Sequence, residues 1–500
     1  MFKYGFLLFL FGKCMSQAAE NIHFFNTLSR KKEKFIPIEK GKVKMYTCGP
    51  TVYDYAHIGN FRSFLFEDIL RRWLEYRGFQ VTQVMNLTDV DDRTIAASKK
   101  EGIPLKEHTG KYVKAFFEDL DTLHVQRASI YPRATEHIPE MVALIKKLME
   151  KGYGYVGEDG SIYYKIAKFK NYGQLSKFKV AELKVGARVK VDEYDKEQAQ
   201  DFALWKAWDE GDGDVFWETE IGKGRPGWHI ECSAMSMKYL GETLDIHTGG
   251  VDNMFPHHEN EIAQSEAATG KKFVNYWMHC EHLMVEGKRM GKRFGNYYTV
   301  QDLTKKLKHD PRAVRYLLIS THYRQQFNFT FAGLEAAKNV VDRLVNFMYR
   351  LLDADGKDCG EETQLLMMQV NKSFGEAMDD DLNIGIALAA LFDFVRDINN
   401  LIDVGKLSRR KADEVYAMML GFDKVLGVIG DVRKEEKLPK EAEELIRRRE
   451  EARKAKDWKT ADQIRLQLQA MGITIQDTPQ GIKWRIEKHQ TNPTKNDSHM

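Results

Sequence analysis

The chain has 500 residues, 43% hydrophobic and 30% charged, the profile of a soluble globular protein with roughly three or four domains rather than one compact core. Seventy-six Lys and Arg against 73 Asp and Glu leave a formal charge of +3, which excludes an overall basic field; a nucleic-acid partner must be met by local patches. Five scattered cysteines (Cys14, Cys48, Cys232, Cys280, Cys359) without CxxC spacing argue against a disulfide framework and for a reducing, cytoplasmic compartment, in which a metal site must recruit other ligand types.

Residues 1–21 read as an N-terminal extension. The run FKYGFLLFLFGK imitates a signal peptide, but no small-residue cleavage site follows it and it is too short to span a bilayer; translation is expected to begin at Met15. Residues 43–48 (VKMYTC) predict a strand, then a Gly-Pro loop, then a helix from near Asn60. In that helix Phe61, Leu65, Ile69 and Trp73 recur at i+4, as do Phe66, Leu70 and Leu74, and Gly78 is placed to stop it. A second strand, 79–86, completes a strand–helix–strand unit with parallel strands, whose ligands sit beyond the strand ends, where Cys48 and the loop after Asn86 fall.

Residues 126–215 are rich in Lys, Tyr and turn-formers and read as an insertion. From RPGWHIECSAM the pattern returns to buried strands and helices until about residue 290, and a mainly helical stretch covers about 310–430. KEEKLPKE is a hydrophilic linker, EAEELIRRREEARKAK a charge-dense helix, ITIQDTPQGIKWR a pair of short strands, and 489–500 a polar tail expected to be disordered.

Three segments carry chemistry. In PTVYDYAHIGNFR, His57 and Asn60 flank Gly59 just before a helix start, where unpaired N–H groups and the helix dipole favour a polyphosphate; a histidine in a tight turn reads equally well. In MFPHHENEIAQS, His257 and Glu261 share a face if the helix runs from Pro256. That pair suits zinc or a solvated helix face, and Cys48 with Cys232 could complete four ligands if the two halves of the fold meet. EGKRMGKRFGNYYTV is a basic, glycine-punctuated loop, either solvated or a mobile phosphate clamp.

CGPTVYDYAHIGN, RPGWHIECSAM, GGVDNMFPHHENEIAQS and the basic loop occur in the order found in cysteinyl-tRNA synthetases, and the chain resembles that family from about residue 22 to 488. The resemblance implies an α/β class I synthetase, with a Rossmann-type parallel sheet split by an insertion, then a helical domain and a small C-terminal α+β anticodon-binding domain. It implies catalytic halves at 22–125 and 216–290, a connective insertion at 126–215, a stem-contact region at 291–325, a helical domain at 326–433 and an anticodon-binding domain at 434–488. His57-Ile58-Gly59-Asn60 matches the HIGH-type signature. Cys48, Cys232, His257 and Glu261 match the ligands of one zinc ion, and Thr88, Trp228 and His247 match residues of the cysteine pocket. Arg453, Trp458, Asp462 and Asp477 match anticodon-recognition positions, with Trp458 suited to stacking on an unpaired base and the two aspartates to accepting from base amino groups.

Activity by resemblance is ATP-dependent activation of L-cysteine and its transfer to tRNA(Cys) by a monomer, with no membrane partner. His57, Asn60 and Lys292 would stabilise the phosphates, and Mg2+ would accompany ATP without an identifiable protein ligand. Cysteine and serine are near-isosteric, so apolar contacts separate them only about 100-fold; a soft zinc ion prefers thiolate and removes the need for a separate editing site. Two other readings share parts of this pattern. A mycothiol-type ligase would join cysteine to an amino-sugar and would lack the anticodon-binding region, and an RNA-binding paralogue would have lost ATP handling.

The family's KMSKS loop here reads Arg289-Met290-Gly291-Lys292-Arg293. The second lysine is present as Lys292, while Gly291 and Arg293 replace two serines, removing hydroxyls and adding charge. A working but retuned loop is expected. Restoring serine in Gly291→Ser/Arg293→Ser should change the KM for ATP and the adenylation rate without altering metal content; unchanged ATP kinetics would mark the departure as neutral.

Overall fold

The computed structural model describes residues 21–177, 188–189, 201–357, 360–433, 439–478 and 481–486. Met15 and the other residues of the N-terminal extension up to 20, and the polar tail from 489, lie outside the described residues. One compact unit ends at Gly430 and a second begins at Asp431. Among the described residues no helix is long and apolar enough to cross a membrane.

In the first unit a hairpin, β1 (His23–Asn26) and β2 (Lys31–Lys34), precedes β3 (Lys42–Thr47), α1 (Ile58–Tyr76) and β4 (Gln80–Met85). β3 and β4 pair in parallel from Lys42↔Gln80 to Thr47↔Met85, as the periodicity predicts. The two apolar rows of α1, including Phe61, Leu65, Ile69, Trp73, Leu70 and Leu74, are all buried. Gly78 follows the helix at φ 91°, the left-handed region open to glycine.

Helices α2 (Asp92–Glu101) and α3 (Leu105–Thr122) lead to residues 130–133, which run parallel to β4 through Met85 N–Ile130 O (3.1 Å) and Leu87 N–Pro132 O (2.8 Å). After α4 (Ile138–Glu150) come β5 (Gly154–Val156), β6 (Ile162–Tyr164), β7 (Arg188–Val189), β8 (Asp201–Ala207), β9 (Trp217–Thr219) and β10 (Gly222–Pro226). They form a sheet in the order β5–β6–β8–β10–β9, with β7 beside β8. This sheet therefore runs on past residue 215, the expected end of the insertion, to Pro226, because β10 pairs with β8 from Gly224↔Ala207 to Pro226↔Trp205.

The chain then rejoins the parallel sheet through α5 (Trp228–Leu240), β11 (Leu244–Gly250), α6 (Glu259–Thr269) and β12 (Val274–Cys280), giving the order β12–β11–β3–β4. Beyond it lie β13 (Leu283–Val285), β14 (Lys288–Arg289), α7 (Pro311–Ile319) and β15 (Phe327–Phe329). Four long helices follow: α8 (Phe331–Asp353), α9 (Gly360–Asp379), α10 (Ile384–Asp403) and α11 (Arg409–Leu426). The second unit holds α12 (Lys440–Lys454), α13 (Trp458–Ala470) and the antiparallel pair β16 (Ile473–Thr478) and β17 (Gly481–Ile486). Ala442, Ile464, Leu468, Ile473 and Ile475 form its core.

Buried charges tie the first unit together. Asp68 on α1 and Arg315 on α7 have fully buried side chains and pair at 2.6 Å. Arg315 also donates to the carbonyls of Leu426 (2.6 Å) and Leu123 (2.9 Å), while Asp68 accepts from Gln126 N (2.8 Å) and pairs with Arg72 (2.7 Å). One contact thus joins α1, the end of α3, α7 and α11. Arg315→Met leaves the Asp68 carboxylate buried with its main counter-charge gone and should destabilise the first unit by about 3–5 kcal/mol. Urea unfolding followed by intrinsic fluorescence checks this, with Arg396→Met, whose exposed side chain pairs with exposed Asp393, expected to leave the midpoint unchanged.

Candidate active site

The site starts from strand order. β11 pairs with β3 through Tyr46↔His247 and Thr47↔Thr248, so the residue after β3, Cys48, emerges beside the end of β11, with its N–H on Thr248 O at 3.3 Å. Gly49 follows because a Cβ there would stand 1.7 Å from Asn86 O at the end of β4. Residues 50–52 pair with Thr88 (Thr88 N–Pro50 O 3.2 Å, Val52 N–Thr88 O 3.1 Å), which keeps Thr88 at the same sheet edge. Helices α5 and α6 bring in Cys232 and Glu261.

Cys48, Cys232, His257 and Glu261 are all buried, and their candidate ligand atoms lie within 4.8 Å of one another. His257 Nε2 is 3.1 Å from Glu261 Oε1, and His247 Nε2 is 3.0 Å from Glu261 Oε2. Trp228 stacks on His257 at 4.3 Å between ring centres. Thr88 Oγ1 donates to Glu231 Oε2 at 3.0 Å and accepts from Asn86 at 3.1 Å. The predicted metal ligands and the predicted pocket residues thus occupy one region.

The expected helix from Pro256 does not form. Met254–His258 is an irregular turn with Phe255 extended (φ −137°, ψ 133°), and the regular helix begins at Glu259. Backbone curvature in that turn, instead of an i+4 helical face, points His257 at Glu261.

Sequence reasoning missed three histidines. His258 Nε2 lies 3.2 Å from Cys48 Sγ, and its Nδ1 is 2.8 Å from His279 Nε2, whose other nitrogen reaches Thr27 Oγ1 at 2.8 Å. His229 Nδ1 lies 3.0 Å from His257 Nδ1. Cys48, His247, His258 and Glu261 form a second, overlapping ligand set. The His257-His258 doublet was the available signal, but a buried histidine beside a ligand looks the same in sequence as a core one.

Electrostatics separate these imidazoles. Burial drives His229 and His258 well below the ordinary histidine value and His279 to about 3, so all three are neutral at physiological pH. Burial would lower His257 too, but the neighbouring Cys232 and Glu261 outweigh it and push it up to about 10. Burial would raise Glu261, and His247 and His257 instead hold it at about 2. The Cys232 thiol is driven well up by burial. For Cys48 the Cys232 hydrogen bond works downward, yet burial and Glu261 leave it raised.

This donor set fits zinc. A tetrahedral ion with Zn–S bonds of about 2.3 Å and Zn–N or Zn–O bonds of about 2.0 Å places its donors roughly 3.3–3.8 Å apart, inside the observed span. Glu261 Oε1 is buried and accepts no hydrogen bond, and neutral His229 is set behind His257, the outer contact that orients a ligand imidazole.

A second feature lies at the start of α1. His57 is its N-cap: Nδ1 accepts from Asn60 N and Asn60 Oδ1 accepts from His57 N, both at 3.1 Å. With Nδ1 an acceptor, the ring proton sits on Nε2, and burial lowers His57 to about 4, so the ring is neutral. The basic loop packs against this start. Ile58 N donates to Tyr298 O at 2.9 Å, Tyr297 OH to Tyr55 O at 3.2 Å, and a Cβ on Gly59 would meet Met290 Cε at 3.0 Å. Lys292 pairs with Asp54. Gly291 is extended at φ −177°, a conformation serine also adopts, so the backbone does not demand glycine there.

In the second unit Trp458 opens α13 and is 55% exposed, not a core residue, with the Arg453 guanidinium 5.5 Å from its ring centre. Asp462 is exposed on the same helix. The side chain of Asp477 lies outside the described residues. Arg449, part of the expected basic surface, is 1% exposed, and Arg447 is paired with Glu444 at 2.6 Å, so the basic face is narrower than its composition suggests.

The chain matches the family model of the class I (C) tRNA synthetase catalytic domain over residues 34–339, the DALR domain over 373–430 and the cysteinyl-tRNA ligase anticodon binding domain over 435–485. The last match runs against the amino-sugar ligase reading. It is 51% identical over 465 residues to the cysteine–tRNA ligase of Protochlamydia amoebophila, covering 92% of this chain and 97% of that protein. It is 49% identical over 479 residues to that of Brachyspira hyodysenteriae, covering 93% and 99%. Among solved structures, a Mycobacterium tuberculosis methionyl-tRNA synthetase in complex with methionyl-adenylate matches with a TM-score of 0.57 at 12% identity, over 77% of this chain and 90% of that one. A putative arginyl-tRNA synthetase from Campylobacter jejuni matches at 0.54 and 12%, over 84% and 98%. At such low identity these two speak for the class I fold alone. A parallel sheet with buried thiol, imidazole and carboxylate groups at its strand ends, and relatives at about half identity over nearly the whole length, lead to one assignment: the chain belongs to the cysteine–tRNA ligase family of class I tRNA synthetases.

Proposed function

We propose that this chain joins L-cysteine to tRNA(Cys) at the expense of ATP and selects cysteine through one zinc ion held by Cys48, Cys232, His257 and Glu261. The observation that carries this reading is the convergence of two buried thiols, an imidazole and a carboxylate at the strand ends, beside the capped start of α1. Zinc, when bound, supplies a soft Lewis-acid centre that prefers a thiolate to a hydroxyl and so separates cysteine from serine. Thr88, Trp228 and His247 border the same space and would orient the amino acid.

In activation the cysteine carboxylate oxygen attacks the α-phosphorus of ATP, the bond to the β-phosphate bridging oxygen breaks, and pyrophosphate leaves. The terminal ribose hydroxyl of tRNA then displaces AMP from the mixed anhydride. His57 would contribute a fixed Nε2–H to the phosphates: its Nδ1 is occupied by Asn60 N, and its neutrality means that it donates without exchanging a proton. Gly59 leaves room for the nucleotide against α1, whose unpaired N–H groups and dipole add to the anion site. Lys292 would supply the cation, and Mg2+ would arrive with ATP.

Arg453, Trp458, Asp462 and Asp477 would read the anticodon, with Trp458 stacking on a base. Residues 22–125 and 216–290 are read as the catalytic halves, 126–215 as the connective insertion, 291–325 as the stem-contact region, 326–433 as the helical domain and 434–488 as the anticodon-binding domain of a cytoplasmic monomer. Exposure of Trp458 beside a guanidinium supports its stacking role.

Purified protein should carry one zinc per chain by mass spectrometric metal analysis and charge tRNA with labelled cysteine in preference to serine. Cys232→Ser should lose most of that metal and most of the discrimination; full zinc content with unchanged selectivity would sink the assignment. Trp458→Ala should raise the KM for tRNA about 5- to 100-fold, the range of one lost base stack, and leave cysteine-dependent ATP–pyrophosphate exchange unchanged. A fall in exchange would mean that Trp458 acts on the fold and not on the anticodon.

A further inference from the structure

Lys292 is not free to wait for a phosphate: its ammonium is ion-paired with Asp54, three residues before His57. The carboxylate is aimed, because its other oxygen accepts from Tyr55 N at 2.8 Å. The loop that carries Lys292 is held in place on both sides. Gly291 N donates to Asn296 Oδ1 (2.9 Å) and Asn296 Nδ2 to Arg289 O (3.1 Å), closing the turn on itself. Thr299 bridges His57, and the Tyr297 and His57 rings meet edge to face at 5.2 Å, docking the following segment on the start of α1. Lys292 Nζ also lies 5.2 Å from the Tyr297 ring centre. Arg293, the added charge, instead lies over Phe294 at 4.6 Å.

We infer that Asp54 is a latch for the signature lysine, a positioning residue whose carboxylate stands in for a phosphate until ATP displaces it. The inference rests on the ATP reading of the site. A carboxylate and a phosphate oxygen are alternative partners for one ammonium, so ATP can engage Lys292 only from the fraction of molecules in which the ion pair is open. The apparent affinity for ATP is reduced by that fraction. The pair is largely solvent-exposed at the lysine end, with side-chain exposures of 61% for Lys292 and 26% for Asp54, so the reduction is modest, about two- to fivefold. The latch keeps the loop docked on α1 with the ammonium already near the nucleotide site, at a small loss of affinity.

The test is equilibrium binding of ATP with Mg2+ to the full chain, measured without cysteine. Asp54→Asn keeps the acceptor for Tyr55 N but loses the charge; its Kd for ATP should fall two- to fivefold, whereas damage to the site would raise it. In a Lys292→Met background the same substitution should change Kd by less than 1.5-fold, and Asp54→Glu should restore a Kd near that of the unaltered protein. A Kd that is unchanged or raised in Asp54→Asn, or one that falls equally in the Lys292→Met background, overturns the latch. Cysteine-dependent ATP–pyrophosphate exchange by the unaltered protein separates this from failure of the functional reading: if exchange is absent, it is the synthetase assignment that fails.

Discussion

Everything at the candidate site depends on the parallel pairing of β3 with β11, two strands separated in sequence by the whole insertion. Their register sets His247 beside Tyr46 and leaves Cys48 at the open strand end. A shift of one residue would turn His247 to the opposite face of the sheet and take it away from Glu261. Right-handed parallel connections require the intervening chain to cover the sheet, and α1 on one crossover and α6 on another do so while carrying His57 and Glu261. The chemistry is thus grafted on the two connections that the sheet needs anyway.

The same arrangement explains how so many ionisable groups can be buried together. Two thiols, a carboxylate and five imidazoles would be costly if several were charged without partners. The field resolves this by keeping His229, His258 and His279 neutral and pairing His257 with Glu261. A divalent cation would replace protons on the two thiols and make the cluster electrostatically complete, which is why the donor set suits zinc better than it suits an empty core. The Asp68–Arg315 pair plays the comparable role at the other end of α1, where it makes the helix the common support of the catalytic, stem-contact and helical segments.

Much of the first strand–helix–strand unit was legible because its apolar residues repeat at helical spacing and its strands are continuous apolar runs bounded by glycine. The Cys48, Cys232, His257 and Glu261 grouping could be posed from ligand types and spacing, though not located. What could not be read were effects of packing between distant segments. The outer histidines 229, 258 and 279 acquire meaning only through what they touch. Asp54 looks like a loop residue until Lys292 is seen against it. Arg449 counts as surface charge in a composition and is buried in the structure.

By itself the sequence determined the class of elements, the family and the residue types available for chemistry, because local periodicity and motif order are properties of neighbours along the chain. The tertiary structure alone decided which of five buried histidines is held protonated, where the helix after Pro256 begins, how far the inserted sheet extends and what Lys292 pairs with. Burial, hydrogen-bond partners and Coulomb fields are set by segments that meet only when the sheet closes, and no spacing along the chain records those distances.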